Sequence, residues 1–252
     1  MTDFIKTIIE DRVLKITFNR ADKKNAITHA MYAAMAEAMA DARTNDDVRA
    51  ILFTGEGDMF TAGNDLVDFQ QATSLEGEGP VMVFIKELVE ALKPIVAAVN
   101  GRAVGIGLTM LLHCDFVYMA EGATISAPFV DLALVPENAS SLLLPQVVCH
   151  VHAAEIFMLG KRVTATEAFE MNLINQVCSV EDVLEVATKT AVALGQKAPT
   201  ALQATKRLMR GDLAPMQACI KVENDLFGTQ LQSPEVAEAI GAFFEKRAPN
   251  FG

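Results

Sequence analysis

The sequence has no CxxC pair, no repeat of fixed period, no low-complexity tract and no GxGxxG, Walker or GxSxG signature. Nor does it contain a run approaching about 18 uninterrupted apolar residues, the length a membrane helix needs. Each absence removes a class of function. The four cysteines, Cys114, Cys149, Cys178 and Cys219, are scattered, which disfavours zinc and disulfide frameworks and fits a cytoplasmic location. The opening MTDFIKTIIEDR is not a signal peptide and the ending APNFG is no SKL-type address, so neither export nor a membrane span is expected. Gly101, Gly105 and Gly107 miss the dinucleotide spacing, and no plausible Cys and His arrangement offers a covalent nucleophile. Histidine is scarce too. On a helix His150 and His152 would face different sides, and His113 ends an apolar helical pattern, so no metal site is expected. Positive charge is in deficit, 21 Lys and Arg against 32 Asp and Glu, for a formal charge of -11. Such a surface repels nucleic acid and anionic membranes. The local cluster of Lys23 and Lys24, with Lys246 and Arg247, reads first as solvated surface, though it could receive phosphates.

What is present is apolar and patterned. At 252 residues and 51% hydrophobic, the chain can bury a sizeable core, as one large domain or a core with an appendage. Alternation predicts strands over 4–9 and 13–18 around a turn at Asp11, then a helix over 30–43 capped by Thr28. A strand over 48–54, a capped helix from Asp65, an exposed loop over 70–80 and a helix over 81–92 follow. Next come a strand over 95–99, a helix from about Gly107, and strands over 116–120 and 124–126. Strands mixed with helices in this order predict an α/β fold. From about Val180 only helical patterns occur, so the chain divides into a core, 1–196, and a helical C-terminal region, 197–252.

Two turns could carry chemistry. In PIVAAVNGRAVGIGLTMLLHCD, Gly105 and Gly107 permit close backbone approach before a helix whose first amides point outward with the positive end of its dipole. In GDMFTAGNDL, Ala62 and Gly63 do the same, with the Asn64 amide just ahead of a helix. Together the turns can supply the pair of backbone donors that a developing oxyanion requires. Glu137, between Pro136 and small polar residues, has two readings: an idle acid in the first turn of a helix through 140–144, or a partly buried base. Asp131 and Asp115 read as structural hydrogen-bond acceptors.

Four motifs in order, NRADKKNAI at 19–27, FTAGNDL at 60–66, VNGRAVGIG at 99–107 and CDFVYMAEGATISAPF at 114–129, resemble the enoyl-CoA hydratase/isomerase (crotonase) superfamily. The resemblance covers nearly the whole chain, from Phe4 to Asn250. It implies a spiral of strand, strand, helix units with a helical trimerisation region, and a homotrimer or dimer of trimers. It further implies that the amides of Asn64 and Ile106 hold the carbonyl of an acyl-CoA thioester. Coenzyme A is then the substrate's carrier, with no permanently bound cofactor. Ala62, Gly63, Asp65 and Leu66 would lie at its adenine end, Lys24, Asn25 and Ala26 beside its pantetheine and phosphate arm, and Phe243 and Lys246 would reach it from the last helix.

Hydratases of this superfamily carry two glutamates at the positions that here hold Thr109 and Phe129. A hydratase is therefore not expected, because adding water needs a base for the water and an acid for carbon. The string VPENASS instead resembles the PExxSS pattern of peroxisomal-type Δ3,Δ2-enoyl-CoA isomerases, in which the glutamate matching Glu137 is the single base. Those isomerases also favour asparagine at the position of Asn64. A ring-modifying isomerase of the epoxyphenylacetyl-CoA type and a non-catalytic acyl-CoA binding protein are the rival readings. Phe69, the 70–80 loop, Val83, Phe84, Thr109, Phe129 and Leu132 are the expected pocket walls.

Overall fold

Two residues in the left-handed region, Asp11 (φ 49°) and Arg12 (φ 66°), turn the chain back and set the first hairpin. Such a turn matches the twist of its flanking strands. It pairs β1 (Ile5–Glu10) antiparallel with β2 (Val13–Phe18), Glu10 opposite Val13. The structure is a computed structural model and describes residues 2–70 and 79–252. Helix α1 (His29–Thr44) starts at its expected cap, the Thr28 hydroxyl accepting from the Met31 amide at 3.3 Å.

Beyond α1 the chain spirals, each turn giving one strand to a large sheet and a shorter one to a small sheet. The first turn holds β3 (Ala50–Gly55) and β4 (Met59–Thr61), then α2 (Leu66–Gln70) and α3 (Pro80–Glu90). The second holds β5 (Ile95–Val99), β6 (Arg102–Val104) and α4 (Ile106–Thr109). The third holds β7 (Phe116–Ala120), β8 (Thr124–Ser126) and α5 (Ser140–Met158). After them come β9 (Val163–Thr164), α6 (Ala165–Glu170) and β10 (Gln176–Cys178). Four helices follow: α7 (Val183–Gly195), α8 (Pro199–Arg210), α9 (Ala214–Leu231) and α10 (Pro234–Glu245).

The large sheet runs β1-β2-β3-β5-β7-β10, parallel from β2 onward, and the small one runs β4-β6-β8-β9. Every residue of β5 is buried, and so is β3 up to its last residue. Helix α7 packs on both, and Phe84 of α3 meets Phe53 of β3 edge-on. Strands covered on both faces read as continuous apolar runs, which is why IVAAV announces itself in the sequence.

The differences from expectation are local. Strands β4, β6, β9 and β10 have three residues or fewer and leave no periodic signature. The helix expected from Gly107 begins at Ile106, stays α-helical for four residues and passes into a 3-10 turn, Met110–His113. By length and composition α5 is apolar enough to cross a membrane, but Cys149 (φ 62°, ψ 166°) leaves the helical region and divides it. Most of the loop expected over 70–80 lies outside the described residues.

Candidate active site

The two glycine turns are packed against one another where side chains are missing. After β4 the chain passes Gly63 at φ 89°, and a Cβ there would lie 2.9 Å from the Val104 carbonyl oxygen of β6. On α4, a Cβ on Gly107 would come within 2.6 Å of the Thr61 methyl group. Glycine at both places lets the strand ends close together. Backbone bonds hold the arrangement: Ile27 donates to the Gly63 carbonyl at 2.8 Å, Asp65 to Ile27 at 2.9 Å and Gly105 to Ser126 at 2.9 Å. Leu108 and Thr109 both donate to the Gly105 carbonyl, so Ile106 precedes the first intrahelical bond. Among the described residues the amides of Asn64 and Ile106 have no hydrogen-bond acceptor.

Asn64 and Ile106 both line a cavity of about 360 Å³, together with Ala62, Gly63, Leu66 and Gly105. Opposite them stand Phe129, Leu132 and Leu134 from the segment after β8, Phe227 of α9, and Ala239 and Phe243 of α10. The charged residues on the wall, among those described, are Asp131 and Arg247. Apolar walls with a few convergent polar groups suit a small organic ligand.

Glu137 is 5% exposed and is not part of the cavity lining. Thr109, on the helix that Ile106 opens, donates its hydroxyl to Glu137 Oε1 at 3.4 Å. The reading of Glu137 as an idle acid in a first helical turn is corrected here. Helix α5 begins at Ser140, after Asn138 (φ 60°) and Ala139 (φ 56°). Its opening amides, those of Ala139 and Ser141, are bound by the Glu223 carboxylate of α9 at 2.6 and 2.9 Å. The helix end is thus served from another element. Burial, chiefly, and the charge of Glu223 push Glu137 up from 4.5 to about 7, with the Thr109 bond opposing. A carboxyl titrating near neutrality can both take up and return a proton. Tyr32 of α1 connects the parts: its hydroxyl donates to Asn64 Oδ1 at 2.5 Å. Burial, and then the Glu137 charge, hold that phenol well above its usual range.

Several expected contacts are placed elsewhere. Asn25 is 0% exposed and its side chain is spent on the chain itself, accepting from the Arg20 amide and donating to the Glu56 and Met59 carbonyls. Asp65 pairs with Arg20 at 2.6 Å and accepts from the first amides of α2, so its carboxylate is structural. Phe84 is core, its ring against Tyr32 and Phe53, and Val83 is exposed and off the cavity. Thr109 is fully buried and serves Glu137 rather than forming a wall. Lys246 caps α10 in a left-handed conformation away from the cavity lining, where Arg247 stands instead. Lys24 is exposed and Ala26 half-buried, both off the lining; the Lys24 carbonyl accepts from the Ala62 amide at 3.0 Å. The Phe69 side chain lies outside the described residues. Sequence reasoning missed Tyr32 and Glu223. For Glu223 a signal exists, because Ile220, Glu223 and Phe227 share one buried stripe of α9, where a lone acid is conspicuous. Tyr32 lies on the buried stripe of α1 and carries no such mark.

The family model described as Enoyl-CoA hydratase/isomerase matches residues 9–252. Enoyl-CoA delta isomerase 2 of Rattus norvegicus is 35% identical over 246 residues, covering 94% of this chain and 62% of that protein. The chain thus spans less than two thirds of that relative's length. The 1,2-epoxyphenylacetyl-CoA isomerase of Escherichia coli K12 is 30% identical over 263 residues, covering 100% of this chain and 99% of that one. A crystal structure of an enoyl-CoA hydratase/isomerase from Pseudoalteromonas atlantica T6c matches with a TM-score of 0.96 at 42% identity, over 99% of this chain and 100% of that one. With motifs, fold and family model in agreement, the chain belongs to the enoyl-CoA hydratase/isomerase (crotonase) superfamily.

Proposed function

We propose that the protein is an acyl-CoA isomerase that moves the double bond of a 3-enoyl-CoA to the 2-position, with Glu137 as its single base. The thioester oxygen accepts from the amides of Asn64 and Ile106, and the acyl chain passes the Ile106 turn toward Glu137. The carboxylate removes a proton from C2, and the electron pair left there delocalises through C1 onto the thioester oxygen and through C3 onto C4 as a dienolate. The same carboxyl then returns the proton to C4, leaving the double bond between C2 and C3. The two amides strengthen their bonds as charge reaches the oxygen, and one such donor is typically worth about a hundredfold to a thousandfold in rate. Phe243 and Arg247 stand on the cavity wall where a CoA ester would enter.

The observation that carries this reading is a buried carboxyl, raised to about 7, hydrogen-bonded to Thr109 on the helix that Ile106 opens. The hydratase route lacks support because the two positions where it needs acids are Thr109 and Phe129. A second reading, rearrangement of an epoxidised aromatic CoA ester, is favoured by the full-length likeness to the epoxyphenylacetyl-CoA isomerase. Assembly as a trimer or dimer of trimers belongs to the same proposal, and Leu208 and Met209 of α8, 84% and 80% exposed, suit a covered face.

The test is conversion of 3-enoyl-CoA, followed by the absorbance of the conjugated thioester, beside an aromatic epoxide CoA ester. Glu137→Gln is expected to abolish isomerisation while CoA ester binding stays within a few fold. Full activity in that variant would sink the assignment.

A further inference from the structure

The base lies on a strained piece of backbone. Asn138 and Ala139, the two residues after Glu137, both have positive φ, 60° and 56°. Consecutive left-handed conformations at non-glycine residues persist only where the surroundings hold them. Two clamps do so. From the 3-10 turn after α4, the His113 ring lies with Nε2 2.9 Å from the Asn138 carbonyl oxygen, so Nε2 carries the proton and donates. From α9, Glu223 accepts from the Ala139 amide at 2.6 Å, the Ser141 amide at 2.9 Å and the Ser141 hydroxyl at 2.6 Å. Glu223 is 4% exposed, so this is a carboxylate committed to the interior.

We propose that Glu223 is a positioning residue of the reaction, acting through Glu137: it holds the left-handed turn that aims the base and sets a second buried negative charge beside it. The proposal rests on Glu137 being the base. A neutral acceptor of similar shape could hold amides, whereas a charge does so at the cost of burying an ion. The charge has an effect that shape alone lacks, since it opposes ionisation of Glu137 and makes the base a stronger proton acceptor. Among the described residues, the other groups facing Glu137 are the hydroxyls of Thr109 on α4 and Tyr32 on α1. His113 is held neutral by burial, at about 4. The cations of α8 that pack inward are turned elsewhere, half-buried Arg210 to the His113 carbonyl and buried Lys206 to Asp115. Among the described residues, Glu223 is therefore the charge that bears on the base.

The experiment compares wild type, Glu223→Gln and Glu223→Asp, reading Glu137 directly by carboxyl carbon NMR of the glutamate-labelled protein, assigned with Glu137→Gln. The second readout is turnover of 3-enoyl-CoA against pH. Glu223→Gln is expected to lower the Glu137 midpoint by about one pH unit and move the acid limb of turnover equally, with KM little changed. Glu223→Asp keeps the charge but shortens the reach, so its midpoint stays while kcat falls about tenfold to a hundredfold. An unmoved Glu137 midpoint in Glu223→Gln overturns the proposal. Should that variant not fold, wild-type kcat in Glu223→Asp overturns it instead. Because the NMR titration needs no substrate, a shifted midpoint in a protein that isomerises nothing would uphold the coupling and refute the isomerase reading.

Discussion

Replacing Glu137 by glutamine is expected to make the protein more stable at neutral and alkaline pH while removing its activity. The native fold raises this carboxyl from 4.5 to about 7, mainly through burial. A folded-state value above the unfolded one means that the native protein binds the proton more tightly. Stability is then lost as pH rises through the window from about 4.5 to 7, and the cost of the buried charge is fully present above it. The size follows from the interval: about 3 kcal/mol at the alkaline end, at 1.36 kcal/mol for each pH unit. For a chain of this length, about 3 kcal/mol corresponds to a melting shift of roughly 6 °C. Placing the glutamine amide has its own cost, about 1–3 kcal/mol if its hydrogens find no acceptor, but that cost does not vary with pH. The informative quantity is the difference between two pH values. From pH 5.5 to pH 8.5 the stability of Glu137→Gln relative to wild type is expected to improve by about 2 kcal/mol. Urea melts at both pH values measure it. A relative stability that does not change between them would refute the raised proton affinity and, with it, the case for Glu137 as a base poised near neutrality.

Thr109→Val removes the hydrogen bond that favours the ionised form of Glu137, so the acid limb of turnover is expected to move to higher pH by a few tenths of a unit. A pH profile moving the other way would contradict the Thr109 contact. Gly63→Ala combines positive φ with a 2.9 Å approach to the Val104 oxygen and is expected to cost about 1–3 kcal/mol. Its kcat/KM should fall at least about tenfold as the Asn64 amide is displaced, measured beside a thermal melt. Lys206→Met strips the partner from Asp115, 2.6 Å away and largely buried, and should cost about 3–5 kcal/mol in a denaturant melt. Adding Asp115→Asn is expected to recover part of that loss, because the uncompensated charge is then removed.

Much of the frame is legible in the residues because it is built from repeating local physics. β5 and β7 declare themselves as short apolar runs, and Thr28 marks the start of α1 by supplying the oxygen its first amides need. Apart from β8, the small sheet is not legible. Strands of three residues such as Met59–Thr61 and Arg102–Val104 have no period to read, and only their pairing across the spiral makes them strands. The glycines at 63 and 107 were visible as places of close approach, but what approaches them, Val104 and Thr61, is set by that pairing.

The same division runs through the site. By itself the sequence determined the α/β class, the two glycine turns with their outward amides, the missing hydratase acids at Thr109 and Phe129, and Glu137 as a candidate base. The class, the turns and the candidate base follow from residue type and spacing, which act over a few residues, whereas the missing hydratase acids are what the resemblance to the superfamily implies. Only the tertiary structure removed the helix-capping reading of Glu137, because the group that binds the first amides of α5 lies 86 residues further along, at Glu223. It also showed the side chains of Asn25, Asp65 and Phe84 engaged within the fold. Burial and charge at a site are sums over elements distant in sequence, and no local pattern encodes them.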